Sequence, residues 1–245
     1  MANATLTRDL EIEVVFNARH VGGYPAAGGR HTSETAIRAA SLARLEEAGI
    51  ARLRDRGVRT IVDLRSSVER ERDVTPSVSW AGIDVIAAAV FEQDGSPVAL
   101  SDHFAGFAIV YQRMLETGRD AYRTLVETLA RREGALLFHC AAGKDRTGVA
   151  AALLLSLAGV DAATIVSDYA RSAELLAPQW AVWEPRMRER GVDPERVRPL
   201  MASDPADMAA TLVHIDSRWG SAEGYLADVG VTSTDRDAAR ARMLA

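Results

Sequence analysis

The hydrophobic and polar positions of this chain predict short strands separated by amphipathic helices. Glu11–Phe16 (EIEVVF) has a strand pattern and opens onto NARHVGGYPAAGG, whose glycines and proline mark turns. Ser41 stands where it would cap a helix over SLARLEEAGIARLRDRG, in which Leu42, Leu45, Ile50 and Leu53 recur on one face before Gly57 ends the run. Val58–Leu64 is a β-branched run ending in the polar RSSVERERD, and a further strand is expected around Ile83–Ala87. Phe91–Pro97 reads as a turn-rich loop. Helical stretches are expected next over 101–117, with Ser101 as cap, and over 119–132. Ala135–Cys140 is a compact apolar run of the kind found in buried parallel strands. Val149–Gly159 suits a helix whose alanines permit close approach to that strand, and the chain from Asp161 onward reads as helical with Pro/Gly punctuation.

Helices alternating with a few short buried strands predict an α/β fold with a mostly parallel sheet. There is no internal repeat, low-complexity segment or dividing linker, so 1–245 reads as one domain, with 89–133 as a helical cover or lid. At 245 residues and 48% hydrophobic composition, the chain is long enough for one substantial core. A net charge of −5 argues against a general nucleic-acid or membrane-surface binder. The single cysteine excludes an internal disulfide framework and a multi-cysteine zinc site, and neither metal nor cofactor is expected. Charges occupy the positions where a signal peptide carries its apolar segment, and no apolar run approaches membrane-spanning length. A cytoplasmic protein without integral membrane association is the expectation.

Lys144 is the only lysine among 29 basic residues, and its neighbours make it conspicuous. It lies in His139-Cys140-Ala141-Ala142-Gly143-Lys144-Asp145-Arg146-Thr147-Gly148, between a predicted strand and a predicted helix. A short loop entering a helix turns free backbone N–H groups inward, and the helix N-terminus favours an anion there. Ala141 and Ala142 put little side chain over that concavity, Gly143 permits the bend, and Arg146 can grip two phosphate oxygens bidentately. The amides, Lys144 and Arg146 would favour thiolate over thiol at Cys140. The implied chemistry is attack of sulfur on phosphorus, giving a cysteinyl-phosphate that water hydrolyses. Thr147 can donate its hydroxyl to the departing sulfur, and His139 orients the loop. A nucleotide-binding Walker A loop is excluded, because Phe138 stands where its first glycine belongs and Asp145 follows the lysine.

Cys-x5-Arg within HCAAGKDRTG resembles the cysteine-dependent protein tyrosine phosphatases, and most the bacterial atypical tyrosine/dual-specificity branch typified by the secreted mycobacterial phosphatase B. Asn17-Ala18-Arg19-His20-Val21-Gly22-Gly23 is similar to that branch's N-terminal signature, although His20 replaces its usual aspartate. Ile61-Val62-Asp63-Leu64-Arg65-Ser66 is similar to its second strand and following turn, and Gly224-Tyr225-Leu226 to part of its helical tail. The resemblance implies a parallel sheet of about four strands, flanking helices and a helical lid. It also implies a phosphorylated protein or peptide as partner, with phosphoinositides a further substrate class for which Lys144 would meet a second phosphate.

Other roles stay open at the level of residues. The proton donor to the leaving oxygen is Asp145 in the loop, Asp63 at a strand end, an acid from 84–102, or no dedicated group. Arg19 and Arg65 are candidates for support of the pocket or for ordinary salt bridges, and the Arg65/Glu69 spacing also suits a helix pair. His31, His103 and His214 lack metal-ligand spacing, and Trp180 and Trp183 read as a packing stripe ahead of a substrate platform. Two alternatives remain beside a phosphatase: a catalytically weak phosphoresidue-binding module, and a sulfurtransferase.

Overall fold

The computed structural model describes residues 8–12, 14–75, 82–92 and 106–245. In chain order the elements are β1 (Arg19–His20), β2 (Ala36–Ala39), α1 (Glu47–Asp55), β3 (Val58–Asp63), α2 (Ser67–Arg72) and β4 (Asp84–Ala87). There follow α3 (Phe107–Thr117), α4 (Arg119–Arg131), β5 (Ala135–His139), α5 (Asp145–Leu157), α6 (Ala162–Ala170) and α7 (Ser172–Glu189). The chain closes with α8 (Pro194–Val197), α9 (Pro205–Trp219), α10 (Ala222–Asp228) and α11 (Ser233–Met243). The strands form one five-stranded sheet in the order β1-β2-β5-β3-β4. All neighbours are parallel except β1, which runs antiparallel to β2.

The apolar run of β5 lies at the centre, where both faces of a strand need hydrophobic side chains. Its residues alternate between two cores. Leu136 and Phe138 join the larger cluster under α3–α6 and α9–α11, whereas Ala135 and Leu137 join a smaller one with Leu42, Leu45, Ile50 and Leu53. Register then places the site. Ala39, His139 and Asp63 stand side by side across β2, β5 and β3, so the segments leaving these strands emerge together at one edge. The carboxyl ends of parallel strands are where open α/β sheets place their ligand crevices.

The sheet has five strands rather than about four, and it is mixed through the two-residue β1. Glu11–Phe16 forms no strand among its described residues. Val14 and Asn17 take positive φ of 60° and 53°, and the described residues pair through the isolated bridges Asp9 to Arg19 and Ile12 to Val15 rather than a strand ladder. Such left-handed backbone interrupts an extended run. Ser41 does not cap the first helix. That helix begins at Glu47, after Glu46, while Ser41 Oγ accepts from Arg65 Nη1 at 3.1 Å. Ser101, His103 and most of Phe91–Pro97 lie outside the described residues. Within 89–133, α3 packs against α9 and α4 against α11, sinking Tyr111, Leu115, Tyr122 and Leu125 into the larger core. No helix among the described residues is long and apolar enough to cross a membrane.

Candidate active site

Cys140 follows β5 directly, and α5 begins five residues later, so the predicted strand–loop–helix is in place. The loop is held from behind by the N-terminal third of the chain. Ser41 N donates to the carbonyl of Ala141 at 3.0 Å. Asn17 Nδ2 donates to the carbonyls of Ala142 and Gly143 at 3.1 and 3.0 Å, and Arg38 Nη2 to Gly143 at 2.8 Å. Across a planar trans peptide the N–H points opposite to the C=O. Pinning three successive carbonyls outward therefore turns the amides of Ala142, Gly143 and Lys144 to the other side, and no acceptor among the described residues takes them. Gly143 has φ +67°, and a Cβ there would lie 2.4 Å from Ala39 O, so the bend and the close approach to β2 both demand glycine.

Arg146, in the first turn of α5, is gripped by Glu69. Its Nη1 and Nη2 donate to the two carboxylate oxygens at 2.5 and 2.8 Å, a bidentate fork. Burial opposes ionisation of Glu69, but the bonds to Arg146 outweigh it and hold the carboxyl below its usual range. Glu69 itself is fixed by a capping box at the start of α2, exchanging hydrogen bonds with Ser66. Arg65 is thus not its partner. Instead Arg65 Nη2 donates to Asp63 Oδ2 at 2.6 Å, and the Arg65 backbone N–H donates to Oδ1 at 3.0 Å. Asp63 is 1% exposed. Burial would raise its pKa, but His139 and Arg65 overcome that and lower it. This buried, arginine-bound carboxylate braces the turn after β3.

His139 is fully buried, with Nδ1 3.2 Å from the Cys140 carbonyl and Nε2 3.7 Å from Asp63 without a hydrogen bond. Cys140 is 1% exposed. The hydroxyl of Thr147 is buried and has no hydrogen-bond partner, so the expected bond to Cys140 is not formed. Lys144 is turned away from the surface. Its Nζ donates to the carbonyls of Leu200 and Ala202 at 2.6 and 2.7 Å and stands 3.7 Å over the Phe107 ring. Asp145, a quarter exposed at its side chain, accepts from Tyr111 Oη at 2.6 Å and lies 3.2 Å from Lys144 Nζ, both contacts at Oδ1. Burial raises Tyr111 well above the ordinary phenol range, which keeps it a donor. Tyr111 also meets Tyr169 Oη at 2.6 Å.

Arg19 does not face a pocket. It is fully buried and donates through Nε to Asp168 Oδ1 at 2.9 Å, while Arg38 Nη1 donates to Asp168 Oδ2 at 2.5 Å. Tyr24 Oη donates to the same carboxylate at 2.9 Å, and Arg19 Nη2 donates to Ser172 Oγ at 3.1 Å. This cluster anchors Asn17 and Arg38, the residues that hold the loop. His20, at the position of departure from the resemblance, sits 3.2 Å from the Glu34 carbonyl through Nδ1. No group of three or more His, Cys, Asp or Glu among the described residues could hold a metal ion.

Sequence reasoning missed Glu69 as the keeper of Arg146, together with Arg38, Asp168 and Tyr111. For Glu69 a signal was present: Ser66-Ser67-Val68-Glu69 has capping-box spacing, which predicts a carboxylate locked at a helix start beside a strand end.

A protein-family model described as the tyrosine phosphatase family matches residues 10–245. This chain belongs to that family. Three curated relatives of the tyrosine phosphatases are similar to it across most of their length. A protein of Cupriavidus necator, provisionally named a tyrosine-protein phosphatase, is 32% identical, covering 90% of this chain and 83% of its own. A tyrosine-protein phosphatase of Nostoc commune is 29% identical, over 84% of this chain and 73% of its own. The triple specificity protein phosphatase PtpB of Mycobacterium tuberculosis is 30% identical, over 80% of this chain and 86% of its own.

Proposed function

We propose that this tyrosine phosphatase family member hydrolyses phosphotyrosine in proteins or peptides through a cysteinyl-phosphate intermediate. The observation that carries the reading is the loop after Cys140. Three of its carbonyls are tied back, its amides are turned the other way, and Arg146 is oriented by Glu69. Amides of that orientation, together with a guanidinium, suit the equatorial oxygens of a phosphoryl group in transfer. Sγ of Cys140 forms the S–P bond as the P–O bond to the leaving group breaks, and the leaving oxygen takes a proton from Asp145. Water then attacks phosphorus and gives up a proton to Asp145, breaking the S–P bond and releasing phosphate and the thiolate, so the acid is restored for the next turnover. Lys144 adds positive potential and ties the loop to the 200–202 segment, in place of touching a second phosphate. Phosphoserine, phosphothreonine and phosphoinositide substrates belong in the test panel beside phosphotyrosine.

The direct test is acid quench of a single turnover, followed by peptide mass spectrometry. A phosphoryl group on the peptide containing Cys140 is expected. Phosphate release with no such adduct at any quench time, or efficient thiosulfate:cyanide sulfur transfer in its place, would overturn the reading.

Asp145 is assigned as acid because Tyr111 and Lys144 both engage Oδ1, an arrangement that fixes the side chain while leaving Oδ2 for the substrate. Asp145→Asn should slow a phosphoserine peptide by about 100-fold but an activated aryl phosphate only about threefold, since a good leaving group needs little protonation. A leaving-group series measured by single turnover reads this directly. Equal slowing across the series would remove Asp145 as the acid.

A further inference from the structure

A cavity of about 300 Å³ adjoins the Cys140 loop. Ala141, the first residue after the cysteine, and Glu69, the partner of Arg146, stand in its wall. A group bound at the loop is therefore continuous with this space. Arg44 comes from the segment after β2, and Gln179, Trp183 and Arg186 come from α7.

The charges of the wall do not balance. Arg65 is matched by Asp63, Glu69 by Arg146, and Asp73 lies 3.7 Å from Arg72. Arg44 and Arg186 are left, both exposed and neither within salt-bridge distance of a carboxylate among the described residues. Two uncompensated guanidiniums beside a phosphoryl site call for a second anion on the same substrate. Gln179 adds an independent observation. It is 6% exposed, and its Oε1 is buried without a hydrogen-bond partner. A buried acceptor left unpaired costs free energy that an incoming N–H donor recovers. Trp183, half-buried in the same wall, offers apolar surface beside these polar groups.

We infer that this cavity is a specificity subsite for an acidic residue flanking the phosphotyrosine of a peptide. Arg44 and Arg186 take the second anionic group, either a carboxylate side chain or a second phosphate, and Gln179 Oε1 accepts from the peptide backbone. The inference rests on the proposed phosphatase activity and deepens it by naming the substrate class.

The experiment measures kcat/KM for matched phosphotyrosine peptides carrying glutamate, phosphoserine or alanine beside the phosphotyrosine, and for a soluble phosphoinositide headgroup. Wild type is compared with the charge reversal Arg44→Glu/Arg186→Glu. Wild type should favour the glutamate peptide over the alanine peptide by about tenfold at low ionic strength, the scale of two partly exposed ion pairs. Added salt should narrow that ratio. The double variant should bring the ratio to one or below. The phosphoserine peptide distinguishes a phosphate-selective subsite from a general anion subsite, and preference for either anion over alanine supports the inference. Equal rates on acidic and neutral peptides by wild type would overturn the subsite alone, as would a preference that survives the double variant. A headgroup preference lost in the double variant, with no discrimination among peptides, would reassign the cavity to a phosphoinositide. No Cys140-dependent release from any substrate would overturn the phosphatase reading itself. Both arginines are exposed, so the fold is expected to tolerate the variant, and a thermal melt checks that it does.

Discussion

Cys140→Ser is expected to lower kcat/KM on phosphotyrosine peptides by about 10,000-fold or more, the scale of losing a covalent nucleophile while the rest of the site stays intact. Cys140 is the only cysteine, so no neighbouring thiol can substitute for it. It is 1% exposed and stands at the C-terminal end of β5, and serine is a near-isostere at a position already fixed by strand and helix. Anion binding should survive. The groups that would hold the phosphoryl oxygens are amides of the loop and the guanidinium of Arg146, and neither depends on sulfur. The measurement pairs steady-state rates with the affinity for inorganic phosphate by calorimetry, on protein free of wild type. A loss of less than about 100-fold would remove covalent catalysis by Cys140 from the mechanism. Loss of phosphate affinity together with rate would instead mean that the loop had collapsed.

Asp168→Asn should destabilise the protein by about 3–5 kcal/mol, because removing one partner of a buried ion cluster leaves uncompensated charge in low dielectric. Asp168 neutralises one of two fully buried arginines, Arg19 and Arg38, so the cluster already carries an excess positive charge. Burial and the charge of Arg38 push Arg19 down to about 10 even with Asp168 in place. Burial alone would raise Asp168, but Arg19 and Arg38 overcome it and hold the carboxyl well below its usual range. The sign for stability follows from that depression. The contribution is fully present above the unfolded carboxylate pKa near 4 and is lost as pH falls through the lower folded value, so neutral pH retains all of it. Thermal and urea melts of wild type and Asp168→Asn at pH 7 should differ by the stated amount. The gap should close only in acid, where wild type loses the same interaction. A difference below about 1 kcal/mol at pH 7 would show that the two arginines find other compensation. Arg38 also holds the Gly143 carbonyl, so the folded variant should turn over more slowly than wild type.

Much of the site was legible because its chemistry is contiguous. Cys140, the loop and Arg146 fall within seven residues, between an apolar run and an alanine-rich helix. Strand, turn and helix signals are local properties, and so β3 and β5 lie where their patterns put them, while α5 begins at Asp145, four residues ahead of the expected Val149. Asp63 and Arg65 are each singled out by the sequence. Two residues apart at a strand end, they meet without help from the rest of the chain.

The N-terminal errors have a physical source as well. Val14 and Val15 carry strand propensity, but propensity is a weak prior against tertiary context. Here the chain turns through positive φ at Val14 and Asn17 and lays Asn17 against the loop. Ser41 had the chemistry of a helix cap, yet its hydroxyl went to Arg65 from another element.

By itself, then, the amino-acid sequence determined the class of fold, the strand–loop–helix in which Cys140 and Arg146 stand as the candidate reactive pair, and family membership through motifs spread over the chain. Only the tertiary structure decided which distant side chains hold Arg146 and the loop after Cys140 in place. Glu69 lies 77 positions from Arg146, Asn17 lies 126 from Gly143, and Arg38 lies 130 from Asp168. Periodicity and spacing report neighbours a few residues apart. Pairing across the sheet is set by strand order and register, which brings Ala39, Asp63 and His139 to one edge and with them every residue that follows. Burial then selects the partners: a guanidinium or carboxylate enclosed by that edge is stable only beside an opposite charge, and which one is within reach is a property of the fold.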